Sequence, residues 1–344
     1  MTTAPAFAVL GAGVMGLAVA TELAARGHKV ALVDPAGGPG PQGCSWWAGG
    51  MLAPWCEFEN AEEPVLRHGA AAIGWWDRHL GSPQDGTALA GTAGPAVPHN
   101  GTLVLTLTRD RRELDRFARR THGFRPLGAD EITALEPDLG GRFDRALFFP
   151  DEAHLDPRTA LTTLRDRLAA RGLTVTDEPP PGATLIDCRG LAARDILPDL
   201  RGVRGEMLVL RCPDIRLSRP IRLLHPRVPI YLVPRGDGVF MLGATMIESD
   251  RRGVVTARSV LELLSAAYAL HPAFGEAEII ETGADARPAF PDNLPRIGRT
   301  ADRLYANGLY RHGYLLAPAC AMQLADHIET GTQPEFWHES HDQR

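Results

Sequence analysis

Apolar and polar positions at the start of the chain change period three times within thirty-four residues. Phe7-Ala8-Val9-Leu10 is a continuous apolar run that predicts a short buried strand. Residues 17–26 carry apolar side chains at helical spacing and end at Gly27, which predicts a helix and its stop. Lys29-Val30-Ala31-Leu32-Val33-Asp34 is a second buried run, closed by an acid. Strand, helix and parallel strand form a βαβ unit. Further on, helical spacing recurs over residues 64–80 (Val65, Leu66, Ile73, Trp76, Leu80), 109–121, 130–136 and 257–270. A helix is predicted from Pro157, with Leu161, Leu164, Leu168 and Ala169 on one face and Gly172 at its end. Residues 101–108 alternate as a half-buried strand, and residues 173–176 and 184–190 read as strands returning to the first sheet. Residues 206–211, 230–235 and 239–245 read as an antiparallel set, with a hairpin turn at Arg235-Gly236-Asp237-Gly238. Near the end, a strand over 304–307, a glycine-flanked loop and a helix over 319–328 repeat the opening pattern.

The turn of the βαβ unit reads Gly11-Ala12-Gly13-Val14-Met15-Gly16. In a dinucleotide site the first glycine allows the tight turn, the second admits a pyrophosphate, and the third lets the helix lie close to the sheet. The N–H groups at the helix start attract the phosphates, and Asp34 is placed to accept from a ribose hydroxyl. This motif leaves FAD and NAD both open.

Composition narrows the class. With 344 residues, 44% hydrophobic, the chain can bury a substantial core. A formal charge of −6, from 36 basic and 42 acidic residues without a basic block, gives no reason to expect nucleic acid. Five scattered cysteines predict reduced thiols in the cytoplasm, with no disulfide frame or metal site. No basic leader precedes the first strand and no apolar run is long enough for a membrane span, so a soluble protein is expected.

Three stretches fall outside these patterns. Residues 44–54, Cys-Ser-Trp-Trp-Ala-Gly-Gly-Met-Leu-Ala-Pro, suit either a backbone lying against a flat ring or a helix start packed on the core. Residues 81–100 are rich in Gly, Pro, Ala and Thr and suggest a boundary. Asp151, Glu152 and His154 have no common metal spacing and read as a solvated helix start.

Taken together, the glycine turn with Asp34, residues 45–54, Tyr231-Leu232-Val233-Pro234-Arg235, Gly243-Ala244-Thr245-Met246, Ala286-Arg287-Pro288 and residues 310–318 resemble the FAD-dependent D-amino-acid oxidase superfamily. The resemblance is to its glycine oxidase branch, which serves thiamine biosynthesis, and it covers nearly the whole chain. It implies an α/β fold with a Rossmann-like FAD-binding domain (1–82, 149–204 and 286–334). An antiparallel-sheet substrate domain (83–148 and 205–285) is inserted, and a tail (335–344) follows. It implies non-covalent FAD held by Gly11, Gly13, Val14, Met15, Gly16, Asp34, Pro35, Cys44, Ser45, Gly49, Gly50, Met51, Leu309, Tyr310, Arg311, His312, Gly313, Tyr314 and Leu315. It further implies a substrate carboxylate bound by Tyr231, Arg287 and Arg311, with Met246 lining the pocket. A planar guanidinium matches a carboxylate in bidentate fashion, and a phenol adds a neutral donor. The helix after Gly313 would stabilise negative charge on a reduced flavin.

The implied reaction takes a hydride from Cα of glycine or another small amino acid to flavin N5. It gives an imine, then 2-oxo acid and ammonia, with O2 reduced to hydrogen peroxide. Thiazole synthase is the implied partner and a homo-oligomer the implied assembly. An alternative is a D-amino-acid or sarcosine oxidase or dehydrogenase with another acceptor; an NAD-dependent enzyme would need only the opening motif. Trp46 and Trp47 stand where the family has small residues, residues 177–182 form a shorter loop than its adenine-side hairpin, and Pro288-Ala289-Phe290 departs from its Pro-x-Thr/Ser.

Overall fold

A computed structural model describes residues 6–81 and 97–339. Most of the glycine-rich stretch 81–100, the first five residues and the last five lie outside it. Two sheets organise the described chain. In the seven-stranded sheet the order is Trp337–Glu339, Arg296–Arg299, Arg303–Asn307, Thr184–Asp187, Phe7–Leu10, Val30–Val33, Val175–Thr176. Only the pair Arg296–Arg299 and Arg303–Asn307 is antiparallel. Trp337–Glu339 therefore belongs to the sheet, although these residues carry no strand pattern and were expected in the tail. They are held by parallel pairing to Arg296–Arg299.

Helices Val14–Ala25, Glu63–Leu80 and Gly313–Thr330 pack together beside this sheet. Trp75 and Trp76 are fully buried between them. Their indole N–H groups donate to Glu22 Oε2 at 2.9 Å and to the Tyr314 carbonyl at 2.8 Å. The second bond accounts for a departure from expectation. The last helix starts at Gly313 and runs through Pro318, six residues earlier than the pattern suggests. Pro318 has no N–H for the Tyr314 carbonyl four residues back, and Trp76 supplies the missing donor.

The nine-stranded sheet is mostly antiparallel. Its two longest strands, Arg201–Arg211 and Glu278–Ala289, pair along their lengths. The second contains Gly283, Asp285 and Pro288, poor strand formers, so it is silent in the pattern. Both strands continue unbroken through residues 204/205 and 285/286. Thr102–Leu105 is buried on both faces, not half-buried, because Leu103 and Leu105 enter one apolar cluster and Val104 another on the opposite side. Helix Ala257–Leu270 covers the core of this sheet, begun by Thr256, whose side chain accepts from Ser259 N–H. Asp237 and Gly238, with φ of 50° and 68°, form the two-residue turn expected of Asp-Gly. In helix Pro157–Ala170 the core face is Leu161, Leu164 and Leu168; Ala169, one step round, is exposed.

Glu152 and His154 correct the solvated reading: both are buried, and only Asp151 is exposed. Ala153–His154 pairs with Met51–Leu52, and Glu152 Oε1 accepts from Cys56 N–H at 2.7 Å. Burial pushes the Glu152 carboxyl up to about 7, against the opposing pull of its hydrogen bonds and Arg222. Among the described residues no helix is long and apolar enough to cross a membrane.

Candidate active site

One cleft of about 1350 Å³ runs between the two sheets. It exceeds the roughly 300–1000 Å³ usual for a small-molecule pocket, as a dinucleotide plus a substrate requires. Every residue implied above lines it except Gly16. Gly16 works from behind: a Cβ there would sit 1.8 Å from the Gly11 carbonyl oxygen, so only glycine lets helix and turn meet. Gly11 itself has φ of 94° and touches the Cys188 backbone.

Two helix N-termini open on the cleft, those of Val14–Ala25 and Gly313–Thr330, and neither has an acid in its first turn. Both therefore present positive dipole ends to the cleft, which would suit a pyrophosphate at one and charge at the far end of a bound cofactor at the other. Asp34 accepts from Ala12 and Ala36 N–H groups at 2.8 and 2.9 Å, one per oxygen, which leaves lone pairs for a ribose hydroxyl. Ser45 Oγ accepts from Val14 N–H at 3.1 Å and so ties the 3₁₀ turn Cys44–Trp47 to the first helix. Burial pushes the Cys44 thiol up to about 11, which keeps it neutral in the cleft wall. The Tyr314 ring stacks at 5.6 Å on Trp76, and its hydroxyl donates to the Ser45 carbonyl at 3.0 Å. Tyr314 is thus a pillar of the cleft wall. The residues present fit FAD: the turn is a cradle that a side chain would fill, and the donors are backbone groups.

The other end of the cleft is built from side chains. Arg287 has no ion-pair partner among the described residues, and Nη1 donates only to the Thr245 carbonyl at 3.4 Å. Its guanidinium lies over Gly205 of the neighbouring strand, where a Cβ would come within 2.1 Å of Nη2. Tyr231 lies in a slot between Gly49 and Gly243. Burial pushes its phenol up in spite of Arg287 and Arg311, so it remains a neutral donor. Met246 is 60% exposed at the mouth and accepts from the Tyr310 hydroxyl.

Arg311 is differently placed. Its Nη2 is 2.9 Å from Glu57 Oε2, which His312 Nε2 also meets at 3.1 Å, while Arg222 lies 3.5 Å from Oε1. Burial acts to raise the Glu57 carboxyl, but Arg311, His312 and Arg222 overcome it and hold it well below the usual range. Burial lowers His312, which is neutral at the helix start. Arg311 is thus a neutralised cation and Arg287 a free one. Sequence reasoning missed Glu57, whose role rests on partners hundreds of residues away. It also missed the placing role of Arg235, which donates to the carbonyls of Leu155 and Gly49 at 3.0 and 2.8 Å.

The fold and the cleft define a dinucleotide-dependent oxidoreductase with a site for a small carboxylic acid. Residues 6–327 match the family described as DAO, FAD dependent oxidoreductase, and the chain belongs to that family. It is 54% identical over 333 residues to the "Putative thiamine biosynthesis oxidoreductase ThiO" of Rhizobium etli, spanning 95% of this chain and 98% of that one. It is 28% identical over 359 residues to the glycine oxidase of Pseudomonas aeruginosa, spanning 95% of each. In fold it matches the crystal structure of glycine oxidase from Geobacillus kaustophilus, with a TM-score of 0.79 at 23% identity over 97% of both chains. The cofactor is FAD, which closes the choice that the glycine turn leaves open.

Proposed function

We propose that the protein oxidises glycine or another small amino acid, and that the product feeds thiazole formation in thiamine biosynthesis. The observation that carries this reading is Arg287, a cleft-lining guanidinium without a carboxylate partner among the described residues, with the neutral Tyr231 phenol in the same cleft. Bound FAD supplies the acceptor for a hydride from Cα.

The chain's own residues do the rest. Arg287 takes the substrate carboxylate as a forked ion pair and Tyr231 adds a hydrogen bond, so the substrate is held by one end. Glu57 balances Arg311, which leaves Arg287 as the cation near the Tyr231 phenol with no ion-pair partner among the described residues, an arrangement that suits a singly charged acid. The helix beginning at Gly313 offers its N-terminus to charge that develops across the cleft. No residue is required as acid or base, because the amine is neutral when the hydride leaves. The imine is hydrolysed to 2-oxo acid and ammonia or handed to a thiazole synthase, and O2 is reduced to hydrogen peroxide. We place the reaction in the cytoplasm, where the five free thiols remain reduced.

An oxygen-electrode screen of glycine, sarcosine, D-alanine and D-proline tests this. Oxygen uptake with matching peroxide is expected, fastest for glycine. Turnover only with an artificial acceptor would instead select the dehydrogenase alternative.

A further inference from the structure

The strand Glu278–Ala289 sets Glu281, Gly283, Asp285 and Arg287 on one face, because alternate residues share a side and the register is regular from Glu281 onward. The first two meet the other half of the molecule directly, and the third meets it through Arg252. Arg158, in the first turn of helix Pro157–Ala170, pairs with Glu281 at 2.7 Å. Its guanidinium lies 5.1 Å from the Trp46 ring centre and 5.2 Å from that of Trp47, while its buried Nη2 has no hydrogen-bond partner among the described residues. The aromatic faces are therefore what that end of the cation rests on.

Trp47 in turn rests on Gly283. A Cβ at position 283 would lie 2.0 Å from its ring, so the tryptophan reaches the strand only because that residue is glycine. Its indole N–H donates to the Pro41 carbonyl at 2.9 Å, within the cofactor loop. Two residues further along, Asp285 is gripped by Arg252, which also donates to the Gln42 carbonyl of the same loop. The next residue on that face is Arg287.

We propose that Trp46, Trp47 and Arg158 form a latch that fixes the cofactor loop, residues 35–50, against this strand. The latch thereby sets the position of the Arg287 guanidinium relative to bound FAD. The two tryptophans are positioning residues together with Arg158. The inference rests on the reading of this cleft as the FAD site and of Arg287 as the carboxylate clamp.

The test compares Trp47→Leu, Arg158→Met, their double variant and Arg158→Lys with the parent holoenzyme. The readouts are the FAD dissociation constant by equilibrium dialysis, the visible flavin spectrum, kcat and KM for glycine, and the thermal midpoint. Each of the first two variants is expected to raise both the FAD dissociation constant and KM about tenfold, as befits loss of a partly buried cation–π stack that one guanidinium makes with two rings. The flavin band should shift while kcat stays within about twofold. The double variant should be no worse than the singles, because the pair acts as one unit. Arg158→Lys should recover most of the loss, and Arg158→Met keeps enough side chain to fold. Unchanged dissociation constant, spectrum and KM with a lowered thermal midpoint would show packing alone and overturn the latch, as would multiplying effects in the double variant. A parent that binds FAD but ignores glycine would refute the substrate reading, and the dissociation constants would still decide the latch.

Discussion

The two ends of the cleft are made of different material. Around Gly11, Gly13 and Asp34 the walls are turns and helix starts, and a ligand would meet backbone N–H groups held in place by the sheet. Around Tyr231, Arg287 and Arg311 the contacts are long side chains from separate strands and loops, held by one another. The first kind of site rests on a turn with no room for an added atom behind it, where a Cβ on Gly16 would sit 1.8 Å from the Gly11 carbonyl oxygen. The second is also closely packed, with Tyr231 between Gly49 and Gly243 and Arg287 over Gly205, but it depends on charge balance as well: Glu57 takes up Arg311, while Arg287 has no ion-pair partner among the described residues. Geometry thus fixes the cofactor end, and electrostatics sets the substrate end.

That contrast can be broken most forcefully at Arg287. Arg287→Ala should lower kcat/KM for glycine about a hundred- to a thousand-fold, in line with the roughly 2–5 kcal/mol at stake in a desolvated charge pair. Its FAD content and thermal midpoint should stay those of the parent, since the guanidinium's one hydrogen bond among the described residues is the long 3.4 Å contact with the Thr245 carbonyl. Loss of flavin from this variant would show that the two ends are not separable.

Two neighbouring acids sharpen the electrostatic side, because their shifts run in opposite directions. Glu152 has its folded pKa raised from 4.5 to about 7 by burial. The neutral form therefore stabilises the fold below pH 4.5, and this contribution is lost as pH rises through 7. Relative to Glu152→Gln, the parent should lose on the order of 3 kcal/mol of stability across that window, read from denaturant midpoints. A gap that ignores pH would remove the buried carboxyl from the account. Glu57 carries the opposite sign, its folded pKa being depressed. Its contribution is present above the ordinary glutamate value of 4.5 and fades as pH falls below it. Glu57→Gln should cost about 2 kcal/mol near neutral pH, as charge-assisted hydrogen bonds do, and progressively less in acid.

The smallest effect concerns the phenol. Tyr231→Phe keeps the ring in its slot and removes one donor, worth about 1 kcal/mol, so KM should rise about fivefold with kcat nearly unchanged. A variant as impaired as Arg287→Ala would mean that the hydroxyl does more than hold the carboxylate.

The same contrast explains what was legible in the sequence. The cofactor end is local: Phe7 to Asp34 is one βαβ unit whose glycines and terminal acid sit at fixed offsets, so periodicity and spacing were enough to expose it. Tyr231, Arg287 and Arg311 have no such offsets and stood out only through the family resemblance. Glu57 stayed hidden because a glutamate in a four-residue helix has no signature until Arg222, Arg311 and His312 converge on it. The start of the last helix was misjudged at Pro318, where a tertiary bond from Trp76 overrides a local rule. Glu278–Ala289 is silent for a related reason, since Gly283 makes room for Trp47 and Asp285 holds Arg252, tertiary contacts that leave no strand pattern.

The most direct measurement is to mix the FAD-loaded protein with glycine in the absence of oxygen and follow the visible flavin band. The account predicts that the band is lost, and that admitting oxygen restores it with a matching amount of hydrogen peroxide. A band left unchanged by glycine and by every other small amino acid would contradict it.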